Sequence, residues 1–222
     1  MFEYKLIKSK RNTFSIEIDK NKNISIRAPF WANQNHINEL LSNKNNWIKK
    51  KFELIDKLNN KKIIHTYNDG DIFYCYGNKF ILKFSDLNEM LLKNDNNFIY
   101  INEDYKAYAK ELIIKWYKQQ ANKIIISRAY YLAEQLNIAI NKVKITNAQT
   151  RFGSCSSNKN LNFSWRLIIA PKPIVDYIII HELAHTIVMN HSKRFWTIVS
   201  SMLPNYKIYE DWLKKNYLLF DI

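Results

Sequence analysis

From Ile174 to Met189 the chain is largely apolar, yet it carries the run His181-Glu182-Leu183-Ala184-His185 in its middle. A helix that is apolar almost all round is a buried helix. Two imidazoles and a carboxylate are costly in such a place unless partners satisfy them. On a helix, residues four apart lie one turn above each other on the same face, so His181 and His185 can converge on one ion. Glu182 sits about 100° further round, close enough for its carboxylate to meet a water on that ion without being a ligand. The plainer alternative is a pair of core histidines bonded to backbone. Against it, three of the chain's five histidines fall between residues 181 and 191.

The third is His191. Catalytic zinc usually takes three protein ligands and leaves the fourth position to water, so a further donor soon after the helix suits a hydrolytic site. The spacing is that of H-E-x-x-H-x-x-G-x-x-H, but Val188 stands where that pattern has its glycine. Asn190 is the expected hinge, because Asn tolerates the left-handed conformation that ends helices. A closed structural site would need a fourth ligand. His36 and His65 lie in the N-terminal half, and Cys75 and Cys155 form no C-x-x-C pair and no disulfide framework. The reading is one Zn²⁺ on His181, His185 and His191, with Glu182 as general base.

The rest of the chain reads as α+β. Tyr4-Leu6, Phe14-Ile16-Ile18 and Ile24-Ile26 alternate like half-buried strands and predict a small antiparallel sheet. Ile37, Leu40, Leu41, Ile48, Phe52, Ile55 and Leu58 predict an amphipathic helix over 33–59. A hairpin is expected around Gly77-Asn78, and a strand over 98–101. A long helix should run from Glu103 to about Leu136, with Tyr105, Tyr108, Leu112, Trp116, Ile124 and Leu132 inward and a break near Asn122. Val143 to Thr146 and Leu161 to Ile169 read as strands. Helices follow from Pro173 to about Met189, from Ser192 to Met202 and from Ile208 to Asn216. A change of character near residue 102 separates a β-rich region, 1–102, from a mostly helical region, 103–222.

Composition is that of a globular chain: 47% hydrophobic, 24% charged, with three Gly and four Pro, which excludes disordered and fibrous classes. The N-terminus shows no secretory pattern and no stretch is long enough to span a bilayer, so a soluble, cytoplasmic protein without a membrane partner is expected. A net charge of +14 is the footprint that phosphate binders carry. Here Lys rises together with Asn, Ile, Tyr and Phe, as A/T-rich coding would produce, and groups such as Lys49-Lys50-Lys51 and Lys61-Lys62 read as solvated surface. Any nucleic-acid binding is therefore expected to be weak and nonspecific.

The stretch from Thr150 to Trp196 resembles the YgjP-like zinc metallopeptidases, relatives of the SprT-like and WLM-type families. The likeness lies in Arg151-Phe152-Gly153-Ser154-Cys155-Ser156, Leu161 to Leu167, Asp176-Tyr177, His181 to His185, Asn190-His191-Ser192 and Phe195-Trp196, with weaker echoes at Arg11, Ala28-Pro29 and Trp47-Ile48. Phe152 replaces the usual Trp. The resemblance implies a zincin-like catalytic subdomain whose active-site helix is preceded by an edge strand for an extended peptide, a place Leu161 to Ile169 would fill. It also implies three histidine zinc ligands and Glu182 as base.

Arg151 is a candidate for holding substrate, with a salt bridge to Asp176 as the competing expectation. Tyr206 is a candidate donor to an oxyanion, with packing as its alternative. Cys155 is not read as a nucleophile. The leading expectation is a metallopeptidase acting on peptide or protein substrates. The alternatives are a metal-dependent hydrolase of nucleoside triphosphates or similar anions, and a nucleic-acid-associated protein with a structural zinc.

Overall fold

The structure, a computed structural model, describes residues 2–19, 21–59, 65–86, 92–95, 97–220 and 222; the Lys61-Lys62 group falls outside them. The chain forms two compact units, Met1–Lys62 and Ile63–Ile222.

In the first unit, β1 (Tyr4–Ser9), β2 (Ser15–Ile18) and β3 (Ile24–Pro29) form a sheet of order β1-β3-β2. Its central strand runs antiparallel to β2 but parallel to β1, so the sheet is mixed and not purely antiparallel. Alternation reports which face of a strand is buried and carries no information on direction. Asp19 holds the β2–β3 turn, its carboxylate accepting from the backbone N–H of Asn21 and Asn23, each at 2.8 Å. Helix α1 (Gln34–Asn59) adds Ile37, Leu41 and Ile48 to a core with Ile24, Ile26 and Ala28. Asn33 and His36 cap its start reciprocally, each side chain accepting from the other's backbone N–H, at 3.1 and 3.2 Å. This arrangement is a capping box in which His replaces the usual Glu.

The second unit opens with β4 (Ile72–Cys75), β5 (Asn78–Ser85), β6 (Leu92–Asp95) and β7 (Phe98–Asn102), in sheet order β4-β5-β7-β6. The β4–β5 turn falls on Tyr76-Gly77, one residue before the expected pair. Both have positive φ, 51° and 89°, as a type I′ turn requires. After a 3₁₀ turn over Glu103–Tyr108, helix α2 (Ala109–Gln135) runs without a break through Asn122. Its buried stripe is Ala109, Ile113, Trp116, Tyr117, Ala121, Ile125, Ala129 and Ala133, while Tyr105 and Tyr108 are exposed. The expected inward set overweighted large side chains; alanines fill much of the stripe and let neighbouring backbone approach closely.

Phe73, Leu82, Ile99 and Ile101 of the four-stranded sheet share one core with Ile113, Trp116 and Tyr117. Residue 102 thus marks the end of the four-stranded sheet, and the two compact units divide at Lys62/Ile63. Cys75 and Cys155 consequently lie in the same unit, both as free thiols.

A second sheet contains β8 (Lys142–Thr146), β9 (Gly153–Cys155) and β10 (Asn160–Ser164) in the order β8-β10-β9. The edge strand next to the metal-motif helix is therefore β9. The expected edge strand, Leu161 to Ile169, splits into the central strand β10 and a 3₁₀ turn over Trp165–Ile169. Ser164 causes the split, its hydroxyl accepting from the Arg166 N–H as an N-cap.

Helix α3 (Lys172–His185) starts immediately after Pro171, with Pro173 in the first turn where a missing N–H costs nothing. It ends four residues before the expected Met189. Arg128 of α2 clamps Asp176 of α3 in a bidentate pair of 2.7 and 2.8 Å. Helices α4 (Lys193–Met202) and α5 (Tyr206–Asn216) and a 3₁₀ turn over Tyr217–Phe220 complete the unit. No helix among the described residues is long and apolar enough to cross a membrane.

Candidate metal centre and active site

The last turn of α3 is closed by Thr186, whose hydroxyl donates to the Leu183 carbonyl at 2.7 Å. The chain then turns at Asn190, whose side-chain oxygen accepts from the Ser192 N–H at 3.2 Å. The expected hinge is there, but it works through this hydrogen bond and without left-handed backbone at Asn190. It returns His191 to the helix face that carries His181 and His185.

The three imidazoles converge. His191 Nε2 is 3.0 Å from His181 Nε2 and 3.2 Å from His185 Nε2. Three nitrogens at 2.0–2.1 Å from a tetrahedral zinc would be about 3.3 Å apart, so the spacing fits such an ion. His185 Nδ1 lies 3.1 Å from the Val188 carbonyl oxygen, which can only accept. The ring proton is thereby placed on Nδ1, and Nε2 presents its lone pair to the cluster.

Protonation is disfavoured at two of the three rings. Burial, reinforced by His185 and His191, pushes His181 down to about 4. Burial also lowers His185, against the opposing effect of the Val188 carbonyl. His181 Nδ1 is buried with no hydrogen-bond partner among the described residues. The aromatic side chains of α4 wall the cluster in: Phe195 stacks on His185 at 4.4 Å, and Trp196 lies 5.8 Å from both His181 and His191.

Glu182 is 6% exposed. Burial pushes its carboxyl up to about 7, partly offset by the positive charge of Arg151. Gly153 of β9 lies directly against it. A Cβ at this position would stand 2.5 Å from Glu182 Oε1, 2.6 Å from Cγ and 2.8 Å from Cδ. The glycine is required here by space, since its φ is not in the left-handed region. Sequence reasoning gave this residue no role beyond its place in the resembling stretch; a glycine inside a strand often marks close approach of another group, but this strand is seen only in the structure.

Arg151 does not pair with Asp176, because Arg128 occupies both oxygens of that carboxylate. Among the described residues Arg151 forms no ion pair; it is exposed and borders a cavity of about 290 Å³ with Thr146, Ser154, Asn162 and Ser164. Tyr206 stacks on Trp196 at 5.3 Å, one ring removed from the histidines. The Cys155 thiol is raised to about 11, chiefly by burial and then by Glu182, far from a nucleophile's range.

Residues 12–216 match the family described as YgjP-like, metallopeptidase domain. No curated protein matches the chain. Two solved structures resemble part of it. The metallopeptidase zymogen abylysin of Pyrococcus abyssi is 22% identical, with a TM-score of 0.37, over 40% of this chain and 91% of that one. The zymogen jannalysin of Methanocaldococcus jannaschii is 25% identical, with a TM-score of 0.34, over the same shares. At TM-scores this low the two likenesses decide nothing about the chemistry.

Proposed function

Because the chain belongs to the YgjP-like metallopeptidase family, we propose that it hydrolyses peptide bonds using one zinc ion held by His181, His185 and His191, with Glu182 as general base. The observation that carries this reading is the convergence of three imidazole nitrogens within 4.8 Å of one another, beside a buried carboxylate one residue along the helix from His181. Zinc in such a site supplies Lewis acidity, polarising the scissile carbonyl and acidifying water.

The chain's own groups do the rest. Glu182 takes the proton of the attacking water at its carboxylate and returns it to the leaving amine. Burial lifts its proton affinity toward neutrality, where a general base works best. The Val188 carbonyl keeps His185 in the tautomer that can bind a cation. Phe195 and Trp196 exclude water from one side of the cluster. Arg151, whose positive charge partly offsets the rise at Glu182, is the residue we assign to holding substrate.

The test combines metal content with turnover. Elemental analysis should find about one zinc per chain, falling in His191→Ala. Glu182→Gln should keep its zinc and lose about 10²–10⁴-fold in peptide hydrolysis. Full activity in Glu182→Gln would refute the mechanism, and loss of zinc would reassign Glu182 to holding the metal.

A further inference from the structure

The side chains of β10 alternate strictly between two tasks. Leu161 and Phe163 are fully buried in the core, while Asn162 and Ser164 face the cavity on the other side of the sheet. Across the ladders, Asn162 pairs with Ser154 of β9 and Ser164 with Thr146 of β8. One face of the sheet thus presents a carboxamide and three hydroxyls, with the Arg151 guanidinium at its rim and no carboxylate among the described lining residues.

Two of those hydroxyls are already spent. Ser164 donates to the Ala148 carbonyl at 2.6 Å, and Thr146 to the Phe163 carbonyl at 3.3 Å. The side chains of Arg151, Ser154 and Asn162 make no hydrogen bond among the described residues, so the free donors of the cavity come from these three. Ser154 is on β9, the strand that packs against the metal-motif helix, Arg151 lies just before that strand, and Asn162 is the ladder partner of Ser154.

Gly153 lies between this cavity and the reacting centre. Its backbone borders the cavity, while an added Cβ would point to the opposite face, shared with its ladder partner Phe163, and meet the Glu182 carboxylate there. A peptide extended along the β9 edge would therefore send alternate side chains to the two faces. The volume of about 290 Å³ equals the share of roughly ten waters, room for one side chain or a chain terminus. A net charge of +14 raises the local concentration of anionic partners.

Resting on the peptidase reading above, we infer that this cavity is an anion subsite for the substrate. A carboxylate of the peptide, from an Asp or Glu side chain or from the C-terminus, is gripped by Arg151 with donors from Ser154 and Asn162 while the scissile bond lies at the histidine cluster. The protein accordingly selects peptides by a negative charge at a fixed distance from the cleaved bond. Guanidinium–carboxylate contacts are charge-assisted and geometrically specific, which makes them suited to choosing among substrates.

A peptide library digested by the zinc-loaded protein and read by mass spectrometry tests this. Cleavage should be enriched about 10–100-fold for Asp or Glu at one position, or for a fixed distance from the C-terminus. Amidating the C-termini separates the two sources: it abolishes the second pattern and leaves the first. Arg151→Gln should erase the enrichment, and Arg151→Glu should replace it with Lys or Arg. Asn162→Asp, which puts a carboxylate into the cavity and leaves Arg151 intact, should erase it too.

Preference is a ratio within one digest, so any influence of Arg151 on Glu182 cancels. Binding supplies a second readout: Glu182→Gln protein should hold a fluorescent Glu-containing or free-acid peptide about 10–100-fold more tightly than its Gln or amide counterpart, and lose that margin with Arg151→Gln. Equal treatment of acidic and neutral peptides, or an enrichment that survives in Arg151→Gln, would overturn the subsite. If the wild-type protein cut no peptide at all, the hydrolytic reading would fall, and the binding comparison would still decide the subsite.

Discussion

Replacing Gly153 by Ala adds a single methyl group where the structure has no room for it. Its carbon would stand 2.5–2.8 Å from three atoms of Glu182, whereas ordinary contacts begin at 3.4 Å. Relief requires the carboxylate, the strand or both to move by about 1 Å, and overpacking of this kind costs about 1–3 kcal/mol. At about 2–4 °C per kcal/mol for a chain of this size, the melting temperature should fall by roughly 2–12 °C. In the general-base role proposed for Glu182, a displacement of about 1 Å costs on the order of 10²-fold in rate. Gly153→Ala should therefore lower kcat by about that factor while zinc content stays near one per chain. The decisive comparison is made in Glu182→Ala, which removes all three crowded atoms. There the added methyl should cost almost nothing in melting temperature. Unchanged kcat in Gly153→Ala would refute the reasoning, as would an equal loss of stability in both backgrounds, which would place the crowding elsewhere.

Two further outcomes follow from packing away from the histidines. Arg128→Met breaks the bidentate clamp on Asp176, whose side chain is 16% exposed. The residual solvent contact places the cost below that of breaking a fully buried pair, at about 1–3 kcal/mol by urea denaturation. Arg128→Met with Asp176→Leu should recover much of it, and a single variant as stable as wild type would show the clamp to be idle. Burial raises Cys155 to about 11 and Cys75 to about 12. At pH 8 roughly one Cys155 in a thousand is thiolate, against about a quarter for a free cysteine. Ellman's reagent should label both slowly in the native protein and rapidly in guanidinium, and fast native labelling of Cys155 would contradict its packing.

The convergence of the histidines was legible in the sequence because two histidines and a glutamate inside an apolar helix admit few reconciliations. Helix α1 was legible for a related reason, its apolar positions recurring with the helical period. Strand direction was not, since a period of two is the same read either way, and β1 proved parallel to β3. The split of Leu161 to Ile169 was hidden because apolar residues continue past Ser164, while the cap that ends β10 is one hydroxyl. Arg151 had a plausible partner in Asp176, and only the fold reveals that Arg128 reaches that carboxylate first. Gly153 escaped because its reason lies in a side chain on another element. Residue 102 stood out by composition, whereas compact units are set by which side chains share a core.

The alternation along β10 divides mutational freedom by parity. Substitutions at 161 and 163 are answerable to the core, where loss of buried side chains costs several kcal/mol. Position 162, and 154 opposite it, face a cavity and hold no structural hydrogen bond, so changes there fall in the class that shifts stability by less than about 0.5 kcal/mol. A lineage or a designer can therefore re-tune what the cavity accepts two residues at a time, without renegotiating the fold. Thr146 and Ser164 are the exceptions on that face: Thr146 bonds the Phe163 carbonyl, and the Ser164 hydroxyl bonds Ala148 and caps the turn that leads to α3.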